Sequence, residues 1–144
     1  MKKYFVIAVM ALVAVFAVSC NNNKKIDLVG HAWQYQGSID TMDMHIDVTL
    51  TLDFDDAEYV SIATTIVSSV YNETTNSRNA YSWDGEKYLV IYKTNNDSSV
   101  TSRNLTYDKK TEEFTMMLDQ NESEDTEQMI ALIGTDRFVF KKVK

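Results

Sequence analysis

The chain of 144 residues has one cysteine, no proline, four glycines and two histidines, and each scarcity removes a class of chemistry. A single cysteine cannot close a disulfide within the chain or build a cysteine-bound zinc site. Two histidines leave no paired-histidine ligand set, and neither a phosphate-cradling glycine loop nor a nucleophile, base and orienter trio is visible. No enzymatic activity and no cofactor are therefore expected. Positive charge is also short: 14 basic side chains face 21 acidic ones, a net −7, which disfavours nucleic acid and anionic lipid as partners.

What is present begins with two lysines and a fifteen-residue apolar run from Tyr4 to Val18, closed by Ala17-Val18-Ser19-Cys20. The run falls short of the roughly 20 residues that span a bilayer, and polar Asn21 to Lys25 follow at once. The segment resembles a bacterial lipobox signal, with Ala17 where leucine is commonest. The resemblance implies cleavage before Cys20 and acylation of its thiol. Residues 1–19 are then a signal peptide, 20–25 an acylated cysteine with a short tether, and 26–144 the folded domain. With Lys2 and Lys3 removed, the 14 basic side chains become 12 against 21 acidic ones, a formal charge of −9. Membrane contact would come from the acyl chains on Cys20. The tether spans about 17 Å when extended. Asn21 to Lys25 do not resemble the acidic run that serves one group of gut bacteria as a cell-surface display signal, which implies the periplasmic face of the outer membrane rather than the cell surface.

Threonine, valine, isoleucine and tyrosine dominate short runs separated by Asp, Asn, Gly and Ser clusters, the pattern of an antiparallel all-β domain. Met44 to Phe54 alternates strictly, with Met44, Ile46, Val48, Leu50, Leu52 and Phe54 on one face. A loop at Asp55-Asp56-Ala57 would set Leu52 opposite Val60 and Leu50 opposite Ile62 in the run Glu58 to Tyr71. Asp84-Gly85 suits a type I′ turn that would pair Tyr81 with Tyr88 and Asn79 with Val90, collecting Tyr81, Trp83, Tyr88, Val90 and Tyr92 on one face. Val100 to Tyr107 and Glu113 to Leu118 would pair Tyr107 with Phe114 and Leu105 with Met116. With His31 to Gln36, Gln128 to Ile133 and Arg137 to Lys142, the count is eight or nine strands. Short hairpins in sequence favour a single up-and-down β-barrel, which leaves no exposed edge.

Leu28-Val29-Gly30-His31-Ala32-Trp33-Gln34-Tyr35, the meander, and the closing Arg137-Phe138-Val139-Phe140-Lys141-Lys142 resemble the lipocalin-like lipoproteins of anaerobic gut bacteria. The lipocalin signature is Gly-x-Trp, and this chain has Gly30-x-x-Trp33. The resemblance implies a tryptophan closing one end of the barrel beneath a basic residue of the last strand, here Lys141 or Lys142, and small apolar ligands.

Several residue groups invite a site. Asp43, His45 and Asp47 share a face, but Met44, Ile46 and Val48 claim the core, so the trio reads as solvated wall rather than a metal site. His31 is expected to be structural or exposed. Asp119-x-Asn121-x-Ser123 begins like a calcium loop, yet Glu124 stands where glycine is needed and Ile130 where glutamate is needed. That segment reads as an acidic hairpin. Strand parity drives Arg103 to the face of Leu105 and Tyr107, and an inward guanidinium needs a partner. In fatty-acid-type barrels an inward arginine with a tyrosine binds a ligand carboxylate, so Arg103 with Tyr107 or Tyr92 is the candidate anchor. Asp119 or water is the alternative partner. Tyr81, Trp83, Tyr88 and Tyr92 are candidate pocket walls or core. Asp40-Thr41-Met42 resembles an O-glycosylation acceptor of exported bacterial proteins. Two functions compete: a barrel that binds a small apolar or amphiphilic molecule, and a fully packed barrel that docks another envelope protein through its acidic loops.

Overall fold

The computed structural model describes residues 25–144, so the expected signal peptide and the lipidation site Cys20 lie outside the described residues. The strands are β1 (His31–Asp40), β2 (His45–Phe54), β3 (Tyr59–Ser68), β4 (Asn72–Trp83), β5 (Tyr88–Thr94), β6 (Val100–Asp108), β7 (Glu113–Met117) and β8 (Arg137–Lys142). One helix, α1 (Glu124–Ile133), lies between β7 and β8. Each strand pairs antiparallel with its neighbour in sequence and β8 returns to β1, closing an eight-stranded up-and-down barrel. Every strand pairing lies within 31–142 and every core residue within 26–140. A chain starting at Asn21 therefore keeps the whole folding unit.

The barrel encloses Trp33, Leu52, Phe54, Val60, Leu89, Leu105, Phe114, Phe138 and Phe140, all buried. Between them along the strands stand Gln34, Thr49, Thr65, Asn104 and Thr106, which face outward. Apolar in and polar out is the reverse of a membrane-spanning barrel, whose lipid-facing positions are apolar. Among the described residues no helix is long and apolar enough to cross a membrane.

Pairing between β6 and β7 is as the sequence predicts, with Tyr107 opposite Phe114 and Leu105 opposite Met116. Between β2 and β3 the faces are as expected but the partners slide by two residues, so that Leu52 meets Ile62 and Leu50 meets Thr64. The cause is the turn. Asp56 Oδ1 accepts the Glu58 and Tyr59 amides at 2.7 and 2.6 Å, which lengthens the loop to Asp55–Glu58.

The β4–β5 hairpin is corrected more deeply. Asp84 Oδ1 accepts three amides, those of Glu86, Lys87 and Tyr88, at 2.8 to 3.0 Å, and Gly85 takes φ 88°. The two-residue turn is replaced by a longer loop, and Trp83 pairs with Leu89 and Tyr81 with Ile91. The slide is three residues, an odd number, so β5 turns over: Leu89 and Ile91 point inward, while Tyr88 and Tyr92 lie exposed on the outer wall. There Lys87 Nζ sits 5.3 Å from the centre of the Tyr88 ring. β4 itself begins at Asn72, and its Asn72–Asn79 stretch pairs with β3 alone. β5 continues past Tyr92 against β6 alone. The wall is therefore parted between β4 and β5 above Ala80.

The expected strand Gln128 to Ile133 is instead the second half of α1. Ser123 caps the helix, its hydroxyl accepting the Thr126 amide at 3.1 Å, and Glu124, Asp125 and Glu127 occupy the first turn, where the helix dipole favours anions. Gly134 ends it in the left-handed region at φ 79°. Ile130 is buried and Ile133 packs on the core, three residues apart on one helical face.

The reversed parity of β5 is testable by stability. Leu89→Ala, which empties a fully buried position, should destabilise the fold by about 2–5 kcal/mol. Tyr88→Ala should change it by less than about 1 kcal/mol. Comparable losses for the two in urea titration would place Tyr88 inside.

Candidate functional site

One end of the barrel is filled. Trp33 packs edge-on against Phe54 and Phe114, with ring centres at 5.6 and 5.0 Å, and Trp83 packs on Phe114 and Tyr107 at 5.7 and 5.9 Å. Three polar handles in this cluster meet backbone carbonyls. Trp33 Nε1 donates to Glu112 O at 2.8 Å, Trp83 Nε1 to Ile26 O at 2.8 Å, and the Tyr81 hydroxyl to Asp56 O at 3.0 Å. Ile26 and Leu28 pass beneath, Ile26 N bonding Gly85 O at 2.7 Å. Tyr81, Trp83 and Tyr107 are thus core of the closed end. Burial pushes the Tyr81 and Tyr107 phenols above their ordinary value, so both stay neutral. Of the two basic residues considered at the end of β8, Lys142 lies over Trp33, its Nζ 5.9 Å from the ring centre and 3.4 Å from Glu112 Oε1.

The other end is open inside. A cavity of about 290 Å³ is bounded by Leu50, Ile62, Ile91, Leu105, Met116 and Phe138, with Met129 of α1 and Leu118 at its edge. That volume sits at the lower limit of small-molecule sites, roughly 300 Å³. Its polar groups are few: Thr64, Ser77, Asn79, Lys93 and Arg103. Asn79 is buried and donates to Ser77 Oγ at 2.9 Å. Ser77 and Asn79 stand on one side of the parting between β4 and β5, Ile91 and Lys93 on the other. A larger hollow of about 720 Å³ lies on the outer face of β6 and β7 among Lys87, Thr106, Asp108, Glu113 and Arg137. It is an open surface bowl between charges with no apolar enclosure.

Of the sequence-predicted contacts, Arg103 alone lines this cavity. Its guanidinium pairs with Glu122, which precedes α1, rather than with Asp119 or a tyrosine. Tyr88 and Tyr92 are on the outer wall, and Tyr81, Trp83 and Tyr107 fill the far end. Reasoning from the sequence missed Lys93, whose inward position depends on the parity of β5, and did not count Asn79 as a site residue, although its place opposite Val60 and two residues before Tyr81 puts it on the inner face. Gly37 in β1 carries a further signal: a Cβ there would collide with the Tyr35 hydroxyl, so the glycine makes room for the Tyr35 ring against Phe138.

The trio Asp43, His45 and Asp47 resolves differently. His45 Nδ1 lies 2.5 Å from Asp40 Oδ1 and Nε2 lies 3.2 Å from Asp47 Oδ1, both on the exposed wall. Asp43 is not among its partners, and no group of three metal-ligating side chains is present among the described residues. Thr41 stands in the exposed turn between β1 and β2, its hydroxyl donating to Met44 O at 3.1 Å, with Met42 fully exposed beside it. His31 Nδ1 lies 3.2 Å from Lys144 O at the barrel seam.

Comparison with protein-family models, with curated proteins and with solved structures finds no match.

Hydrogen bonding to Asp40, then the charges of Asp40 and Asp47, hold the His45 imidazolium above the usual histidine value. With the folded value raised, the stabilisation from these contacts is complete below about pH 6.5 and is lost as pH rises through the folded value. In an NMR titration His45 should deprotonate at higher pH than a free histidine, and Asp40→Asn should lower its midpoint more than Asp47→Asn. A midpoint unmoved by Asp40→Asn would contradict the assignment.

Proposed function

We propose that this protein is a lipid-anchored envelope protein whose barrel holds one small apolar or amphiphilic molecule. The observation that carries this reading is the cavity: apolar on most sides, closed below by packed aromatics, and edged by Arg103 and Lys93. Rings fill the other end at core spacing, so the emptiness here is local to the half where β4 and β5 part. An eight-stranded barrel has room for one small ligand once its side chains have taken their share. The polar outer wall fits a barrel working in water, tethered through acyl chains on Cys20 at the periplasmic face of the outer membrane. Thr41, in its exposed turn, suits an O-glycan.

The second reading is an interaction module docking another envelope protein through its acidic segment. It draws support from the small volume of the cavity and from the exposed Glu124, Asp125 and Glu127 on α1.

Binding of a polarity-sensitive naphthalene dye separates the two. The first reading predicts saturable binding of one dye per chain, abolished by Ile62→Trp, which fills the cavity. Such overpacking should destabilise the fold by only about 1–3 kcal/mol. Absence of saturable binding, or its survival in Ile62→Trp, would favour the docking module. The anchor is tested separately by metabolic palmitate labelling, which Cys20→Ala should eliminate.

A further inference from the structure

Arg103 projects from the inner face of β6, and the barrel wall offers it no counter-charge. Its register partner across the sheet is Ile91, its neighbour along the strand face is Leu105, and the other charged group at the cavity is Lys93, also a cation. The carboxylate it meets comes from outside the wall: Glu122, in the connection that leads from β7 into α1. The same connection caps α1 at Ser123, lays Met129 on the cavity edge and buries Ile130. One oxyanion therefore occupies the mouth of an apolar cavity, and the helix behind that oxyanion forms part of the cavity's cover.

We infer that Glu122 is a resident counter-anion, exchanged at Arg103 for the terminal oxyanion of an amphiphilic ligand, and that the exchange frees the Glu122 connection and α1 from the mouth. The inference rests on the ligand-binding reading and specifies its ligand class as an apolar chain ending in a carboxylate or phosphate. Three features support exchange over a permanent bridge. Both partners are about two-fifths exposed, 40 % for Arg103 and 39 % for Glu122, and ion pairs at such sites are weak. The guanidinium donates to Glu122 through Nη1 alone, whereas its fork can donate two N–H groups to a carboxylate or phosphate. Lys93 adds a second cation that Glu122 does not engage among the ion pairs of the described residues, so a doubly contacted head group would gain over the single internal carboxylate.

The test uses the chain from Asn21 to Lys144, which retains every strand pairing and core residue. Wild type, Glu122→Gln and Arg103→Met are titrated with decanoate, decyl phosphate and 1-decanol, and hydrogen exchange is followed at the amides of 124–133. Removing the internal competitor in Glu122→Gln should tighten an anionic probe about 1.4- to 5-fold, the range of an exposed ion pair, and leave 1-decanol unchanged. Arg103→Met should weaken the anions and spare the alcohol. A gain confined to decanoate or to decyl phosphate identifies the head group. Exchange across α1 should be faster in Glu122→Gln without any ligand, and faster in wild type with an anionic probe but not with 1-decanol. Equal anion affinity in wild type and Glu122→Gln, or exchange that Glu122→Gln leaves unchanged, overturns the inference while ligand binding itself stands. Failure of all three probes to bind either protein removes the ligand reading and the exchange together.

Discussion

Trp33 is the contact on which the rest of the barrel depends. Its ring lies between Phe54, Phe114 and Tyr107, and its indole N–H reaches across to Glu112 O, so one side chain joins β1, β2, β6, β7 and the β6–β7 turn. Lys142 covers it at the seam, where β1 and β8 pair Trp33 with Lys142 and Gln34 with Lys141, and Ala32 exchanges backbone hydrogen bonds with Val143 and Lys144 just beyond. A barrel closed by so short a seam relies on what is packed beneath it. Dense aromatic packing at this end allows the opposite end to remain partly empty, because burial of large rings there supplies the apolar area that a cavity elsewhere forgoes. The division into a packed half and a hollow half is the structural basis for proposing a binding function.

Much of this architecture was legible in the sequence, and the failures have specific causes. Strict alternation in Met44 to Phe54 gave the buried face of β2 correctly, and the short polar turn at Asp108 to Glu112 left the β6–β7 register unambiguous. Arg103 was placed on the inner face by that register alone. Hairpin loops were the weak point, for a shared reason: Asp56 and Asp84 each gather several backbone amides, building loops longer than the expected Asp55-Asp56-Ala57 and Asp84-Gly85. An even slide at Asp56 left the faces intact. The odd slide at Asp84 inverted β5, moving Tyr88 and Tyr92 outward and Lys93 inward.

Helix α1 was missed although its signals were present. Gln128 to Ile133 is a short apolar run that fits a strand as readily as a helix, and only the flanking residues decide. Ser123 with an acidic first turn, and Gly134 after the last apolar residue, specify the helix at both ends. The partner of Arg103 was beyond reach for a different reason. Glu122 meets it through a connection whose path depends on the helix, so no strand-based register could have found it. The parity of β6 places a cation inside, and the course of the β7–α1 segment determines which anion answers it.

The central claim is that an apolar void persists inside the half of the barrel where β4 and β5 part. Apolar cavities of this kind stay dry and admit xenon, whereas polar ones hold ordered water. Crystals of the chain from Asn21 to Lys144 under xenon pressure test this directly. The account predicts a xenon site among Leu50, Ile62, Ile91 and Met116. Side chains collapsed across that space, or a cluster of ordered waters in place of the gas, would contradict it.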